Sequence, residues 1–482
     1  MNLLTIVKNS IYLFFSHVLV RFVSGIATIL VARSLGIDEY GLLSLAISIT
    51  IISGFFTELG LTHTLIREGT KAGSDIEELL AIYLGKRLFY GGLTLLVTCV
   101  LILTLYSPSH YQVLLWCVIP SILGSVLTGY GVAYFQVTQL MKFTALIRAS
   151  TGLLTALSLL LCFYLKSDVF SYSLAYGFSI LFGGVISTGL VLRKVRFKLK
   201  WSNKLSNGLI SFSISGFVVM FFPQLGPIIL EKTSSLTQVG NYSAAYRIPS
   251  ILYQIPNVLA LAFYPMLFKL SNANNNFEQV KLNIMQTKFM SCIGMMLCLP
   301  FAIYSEWWVN IVLGRQWVEA AFLLSVLSFI VLLQSISSPI SDGLAAAGYH
   351  KKRSIFQVAN CCLAVILFLL LSSRYGAVGA AFAAVIVELI NLIGLVALRK
   401  IGIVIIYKSL GSLAPIFITM LLLGYYLKGI SWLNPVLGVV ILFSLFLILT
   451  FSLDKELKGK LVNVLKKQVE KKTKSVKIGD SI

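Results

Sequence analysis

Charge is what this sequence has least of. Only 12% of its 482 residues are Asp, Glu, Lys or Arg, about half the share usual in soluble domains, and the acidic residues number just 18. With 57% of residues apolar and a mean hydropathy of +0.90, neither a soluble enzyme nor a disordered or fibrous chain fits. Histidine is scarce, and His17, His63, His110 and His350 fall on separate segments without an H-E-x-x-H pattern. The seven cysteines lie inside apolar runs without ligand spacing, which argues against a disulfide framework or a zinc site. No G-x-x-x-x-G-K-[ST] loop occurs, so this chain is not expected to hydrolyse ATP. No nucleophile, base and orienter set suggests an enzyme. No metal and no cofactor is expected.

What is present is a succession of apolar runs, each long enough for the roughly 20 residues a helix needs to cross the hydrocarbon. They predict an all-α polytopic membrane protein of about fourteen spans, at 11–32, 41–63, 88–106, 112–135, 144–165, 168–192, 210–230, 241–268, 287–311, 319–341, 354–372, 377–398, 410–427 and 432–452. The first run lacks a small-x-small cleavage site and is read as a retained helix. The net charge of +21 would suggest a nucleic-acid partner in a soluble protein. In a chain this apolar it marks topology instead, and no nucleic acid is expected. With a cytoplasmic amino terminus, thirty of the 39 Lys and Arg residues fall on cytoplasmic segments and six on the opposite side. Arg21, Arg148 and Arg247 remain inside spans. A missed span would invert every later loop, so both termini are expected in the cytoplasm.

The basic loop Arg193-Lys-Val-Arg-Phe-Lys-Leu-Lys200 divides the first twelve spans into six and six. The expected organisation is a six-helix lobe over 1–200, a second over 201–400, two additional helices over 401–452 and a basic tail over 453–482. An even number of spans per lobe predicts a pseudo-two-fold axis along the membrane normal. A faint internal echo agrees: Gly41-x-x-Ser44-x-Ala46 follows span one, and Gly240-x-x-Ser243-x-Ala245 follows span seven. In the tail, Leu453, Leu457, Leu461, Leu465 and Val469 form one apolar stripe among nine lysines. That pattern suits either a helix lying on anionic lipid or a solvated tail.

Ionisable groups inside hydrocarbon are costly and mark functional candidates. Arg21 sits mid-span, about 15 Å of helix rise from either surface, and shares a face with His17, Ser24 and Thr28. Span eight repeats the pattern with Arg247, Ser250, Gln254 and Asn257, beside Tyr253 and the helix-kinking Pro249, Pro256 and Pro265. Arg148 lies four residues into span five, where a snorkelling role competes with a cavity role. Glu58 and Glu388 are the buried acids, suited either to ion pairing or to coupling with protons or sodium. Three arginines against two glutamates predict a cationic or neutral cavity and hence an anionic cargo, since the guanidinium fork suits phosphate.

Several stretches are similar to flippases of polysaccharide biosynthesis of the Wzx type. They are Leu35-Gly-Ile-Asp-Glu-Tyr-Gly41, Glu58-Leu-Gly-Leu61 with Ile66-Arg67, and Leu313-Gly-Arg-Gln-Trp317. Asp342-Gly and Ala347-Gly348 ahead of Lys351-Lys-Arg353 follow in the same order. The resemblance implies two six-helix lobes around a central cavity, as in the superfamily that includes lipid II flippases and multidrug exporters. It also implies a bacterial inner membrane and a lipid-linked oligosaccharide cargo, such as an O-antigen repeat unit on undecaprenyl pyrophosphate. Other polysaccharide assembly proteins are implied as partners alongside membrane lipids. By position, Arg21 and Arg247 match first-span and eighth-span arginines that line the cavity of related lipid II flippases. Export of drugs or other small molecules by the same architecture is the alternative.

Overall fold

A computed structural model describes residue 20 and residues 22–71, 73–195, 198–206, 209–430 and 434–453. His17, Arg21 and the tail stripe beyond Leu453 lie outside the described residues. Among these residues all regular structure is helical. Water-free hydrocarbon demands this of a chain so apolar, because a helix satisfies its backbone polar groups within itself.

Nine described helices are long and apolar enough to cross a membrane singly, and a tenth crossing forms if the pair Gly402–Leu410 and Leu413–Lys428, bent by 51°, is taken as one. Among the described residues each expected span falls on helix, but several are broken. The second comprises α2 (Ile37–Phe56) and α3 (Leu61–Gly69), separated at Leu59 and Gly60, whose φ angles are 43° and 75°. The seventh comprises α8 (Leu209–Phe221) and α9 (Leu225–Thr233), joined by a short 3-10 turn carrying Pro223. The eighth comprises α10 (Leu236–Leu252) and α11 (Gln254–Asn272), parted between Pro249 and Pro256. Proline removes one amide hydrogen and crowds the preceding turn, which accounts for both sites.

Spans eleven and twelve form one continuous hydrogen-bonded stretch, His350–Ala397, that doubles back at Gly376 with φ 57° and ψ −136°. Its arms run antiparallel in close contact: a Cβ on Gly379 would stand 1.9 Å from the Leu371 carbonyl oxygen, and one on Gly394 would stand 1.9 Å from the Phe356 ring. The hairpin tip is held by Gln238 of α10, whose Oε1 accepts from the Ala377 amide at 2.8 Å.

Within the first half, α5 (Tyr111–Val137) and α7 (Val169–Leu192) pack along small residues, with Gly124 against the backbone at Ile180 and Gly184 against that at Gly124. Small side chains let helix backbones approach closely where lipid supplies no hydrophobic drive. In the second half α12 (Asn276–Ile303) packs on α14 (Ala320–Ala346). One apolar core crosses between the halves, joining Ala27, Val31 and Tyr40 to Tyr242, Ala245, Trp317 and Ala380.

The halves meet where α2 crosses α10, and there the internal echo becomes a contact. A Cβ on Gly41 would lie 2.2 Å from the Leu236 carbonyl oxygen, and one on Gly240 would lie 2.2 Å from that of Ile37. Thr237 donates to Asp38 at 2.6 Å beside them. The Trp317 indole donates to the Ala32 carbonyl at 3.1 Å, and Gln316 to that of Leu35 at 3.1 Å, binding the start of α14 to the same seam.

The connection between halves is strapped to α4 (Ile76–Leu105). Lys200 and Lys204 donate to Glu78 at 2.7 and 2.9 Å, and the Lys200 amide donates to the Ala81 carbonyl at 3.3 Å. This helix starts a dozen residues before the expected span, so Lys86 and Arg87 lie inside it and are buried rather than standing in a cytoplasmic loop.

Candidate functional site

A polar cavity of about 320 Å³ lies in the second half. One face of α14 supplies Gln334, Ser337, Ser338, Ser341 and Asp342, at spacings that return every turn of helix. The hairpin arms add Asn360 from one side and Glu388 with Asn391 from the other, and Tyr253 enters from the break between α10 and α11. Glu388 is 5% exposed. Its carboxylate accepts from the Ser337 hydroxyl at 3.0 Å and the Asn391 amide at 3.1 Å. Asp342 accepts from the Gln286 amide at 3.0 Å and feels the positive charge of Arg353, whose guanidinium donates to Ser341 at 3.2 Å. The Asn360 carbonyl oxygen is buried and makes no hydrogen bond among the described residues.

Behind Asp342 a polar stripe runs along α12. Gln279, Asn283, Gln286, Thr287 and Ser291 are all buried, with Gln279 donating to the Gly343 carbonyl at 3.2 Å and Asn283 to that of Pro339 at 2.7 Å. Side-chain oxygens of Asn283 and Gln286 stay unbonded among the described residues. Such atoms are ordinarily met by water or by a ligand. Carboxylates set among amides and hydroxyls can hold a proton or a small cation, or bond sugar hydroxyls. Among the described residues no group of three His, Cys, Asp or Glu side chains is disposed to hold a metal ion.

Arg247 is half-buried on α10, within electrostatic reach of Tyr176 on α7 of the first half and of Tyr246, which also feels Glu388. Four residues further along α10, Ile251 touches the first helix, Phe22–Ser34, at Gly25, where a Cβ would stand 2.6 Å from its side chain. Ser24 is half-buried on that helix, and Thr28 bonds back to the Ser24 carbonyl at 2.9 Å. Gln254 donates to the Ser250 carbonyl at 3.0 Å, while Asn257 on α11 and Arg148 on α6 (Met141–Tyr164) are half-buried. Tyr253 and Glu388 thus share one cavity.

Glu58 stands elsewhere, at the α2–α3 break, 3.5 Å from Arg87. Arg87 is 3% exposed and donates to the carbonyls of Val126 at 3.1 Å and Ser125 at 2.8 Å and to the Tyr83 hydroxyl at 2.7 Å. This fully engaged guanidinium escaped the sequence reading because Lys86-Arg87 resembles the charged end of a loop. Asp342 escaped in the same way, although the spacing from Gln334 to Asp342 carries the signal.

The family model for polysaccharide biosynthesis proteins matches residues 6–271, more than half of the chain. The chain belongs to this family. This polysaccharide biosynthesis protein is 24% identical over 368 residues to a protein described as an O-antigen transporter from Escherichia coli strain K12, covering 72% of this chain and 86% of that one. It is 26% identical over 215 residues to a protein described as a low-salt glycan biosynthesis flippase, Agl15, from Haloferax volcanii, covering 43% of this chain and 45% of that one. Its fold is that of the lipid II flippase MurJ in an inward closed conformation, with a TM-score of 0.74 at 14% identity over 94% of this chain and 99% of that one. An inward-facing multidrug resistance transporter of the MATE family follows, with a TM-score of 0.63 at 12% identity over 79% and 96% of the two chains. The chain is therefore a polytopic membrane protein of the polysaccharide biosynthesis family.

Proposed function

We propose that this protein flips a lipid-linked oligosaccharide, an O-antigen or other repeat unit on undecaprenyl pyrophosphate, from the cytoplasmic to the outer face of a bacterial inner membrane. Lobes 1–200 and 201–400 would rock about the shared seam, with 401–452 as added helices and both termini cytoplasmic. The observation that carries the proposal is the position of Arg247, a permanent cation between Tyr176 of the first half and the neighbourhood of Glu388 in the second. Arg21 of the first span, by its position in the sequence, would be its partner in a clamp on the pyrophosphate. His17, Ser24, Tyr253, Gln254, Asn257 and Arg148 would meet sugar and phosphate oxygens around it. A diphosphate bearing about two negative charges gains roughly 4 to 5 kcal/mol on moving outward across about 100 mV, inside negative, so no ATPase is required. Glu388, and Glu58 beside Arg87, are the acids through which a proton or sodium gradient would couple.

A second reading, export of small cations, is favoured by one observation: the cavity is lined by Asp342 and Glu388 and by no Lys or Arg. Deletion of the protein separates the two. Accumulation of lipid-linked intermediates with unchanged drug susceptibility is expected. Arg247→Ala, at matched protein abundance, should abolish surface polysaccharide, and Arg247→Lys should restore only part of it. Normal display in the alanine variant would remove the anion clamp.

A further inference from the structure

An apolar groove of about 430 Å³ runs between α2 and α4, apart from the polar cavity. On α4 it is lined from Tyr90 to Leu105, a distance of about 22 Å at 1.5 Å per residue. No charged side chain lines it. Its wall is open toward lipid: Leu93, Val97 and Leu101 are 51%, 44% and 47% exposed. Its buried hydroxyls are turned inward, Ser53 and Thr98 bonding each other at 3.1 Å.

One end carries a cation. Lys232, just beyond the groove, donates to the Leu105 carbonyl at 2.7 Å and stands 4.0 Å from the Tyr106 ring centre. Glu231 holds the same ammonium at 3.0 Å, fixing it in place. The Tyr106 phenol stands beside the ammonium as a neutral hydrogen-bond donor. A long uncharged trough ending on a phenol and an ammonium shared with Glu231 matches an amphiphile with a long tail and a phosphate head that would compete with that carboxylate for the ammonium.

We propose that this groove holds the isoprenoid tail of a polyprenyl diphosphate, with the phosphate end at Lys232 and Tyr106 on the outer side of the membrane. The inference rests on the flippase reading above. Length selects the occupant. One leaflet offers about 15 Å of hydrocarbon, half of the roughly 30 Å core, so an ordinary acyl chain anchored at Lys232 ends near the midplane. The groove continues past that depth, where only a longer chain fills it. Ile228 of α9 forms part of its wall, whereas α2 and α4 belong to the first half. Movement of one half against the other would therefore reshape the groove and release the tail.

The test uses the full chain in nanodiscs containing undecaprenyl diphosphate, with a benzophenone amino acid at Val97 or Leu101. Controls carry it at Leu96 or Leu103, exposed positions of α4 outside the groove. Polyprenyl adducts should form at the groove positions in marked excess over the controls. Lys232→Gln should lower them about fivefold, the value of one cation near an anionic lipid head. The same substitution should leave adducts of undecaprenol, which lacks the phosphate, unchanged. Equal labelling at all four positions, or phospholipid adducts alone, would overturn the groove. Val97→Trp, which fills the trough without entering the polar cavity, should slow display of surface polysaccharide. Groove adducts in a protein whose deletion accumulates no lipid-linked intermediates would sink the flippase reading and leave the tail site standing. Accumulated intermediates without groove adducts would do the reverse.

Discussion

Gly41 and Gly240 occupy the same, fifth position of α2 and α10, and each faces the carbonyl oxygen of the residue that opens the other helix. The two helices thus exchange one reciprocal contact where they cross. A side chain at either position meets backbone, which cannot swing aside. Gly41→Ala and Gly240→Ala should each destabilise the protein by about 1–3 kcal/mol, read as a lowered melting temperature in detergent. Gly92→Ala, at a helical glycine with open space around it, serves as the control and should be neutral or slightly stabilising.

Trp317 predicts a graded series. It is fully buried, packs edge-on against Tyr40 with ring centres 5.5 Å apart, and donates to the Ala32 carbonyl. Trp317→Ala should cost about 3–5 kcal/mol. Trp317→Phe, which keeps most of the packing but strands one carbonyl, should cost about 1–3 kcal/mol. A phenylalanine variant as stable as the parent would show that the indole N–H contributes nothing.

Arg87 should not tolerate lysine. A compact ammonium cannot span the carbonyls of Ser125 and Val126 together with the Tyr83 hydroxyl. Arg87→Lys should therefore lower stability by about 1–3 kcal/mol despite the retained charge, measurable by thermal unfolding of purified protein. An unchanged melting temperature would mean that the guanidinium network is dispensable.

Glu388 separates folding from coupling. Glu388→Gln keeps oxygen and nitrogen atoms for Ser337 and Asn391 but cannot carry a charge, so the variant should fold and lose any dependence of transport on an imposed proton or sodium gradient. Glu388→Ala strands both partners and should also lower the melting temperature, by about 1–3 kcal/mol of stability. Gradient dependence that survives in the glutamine variant would remove Glu388 from the coupling role.

The helical architecture was legible because apolar runs of span length admit few alternatives, and even the Gly41 and Gly240 echo was visible as spacing. That these glycines touch was not, because spacing says nothing about which copies meet. Hydropathy also misplaced charge that turns inward. Lys86 and Arg87 precede the expected apolar run in sequence yet sit a third of the way along α4, and α12 starts at Asn276 rather than 287 because its first turns bury Gln279, Asn283 and Gln286. A polar face against a partner helix and a polar loop in water have the same average hydropathy. Only the recurrence of such residues every three or four positions separates the two, as it does from Gln334 to Asp342.

The hydrogen bond from the Ala377 amide to Gln238 joins features that are otherwise far apart. Gln238 lies two residues before Gly240, and Ala377 begins the arm that carries Glu388 three turns further on. Separation of α2 from α10 therefore tugs on the same strut that bears the buried carboxylate. One side chain thus joins the glycine seam to the arm that carries the buried acid.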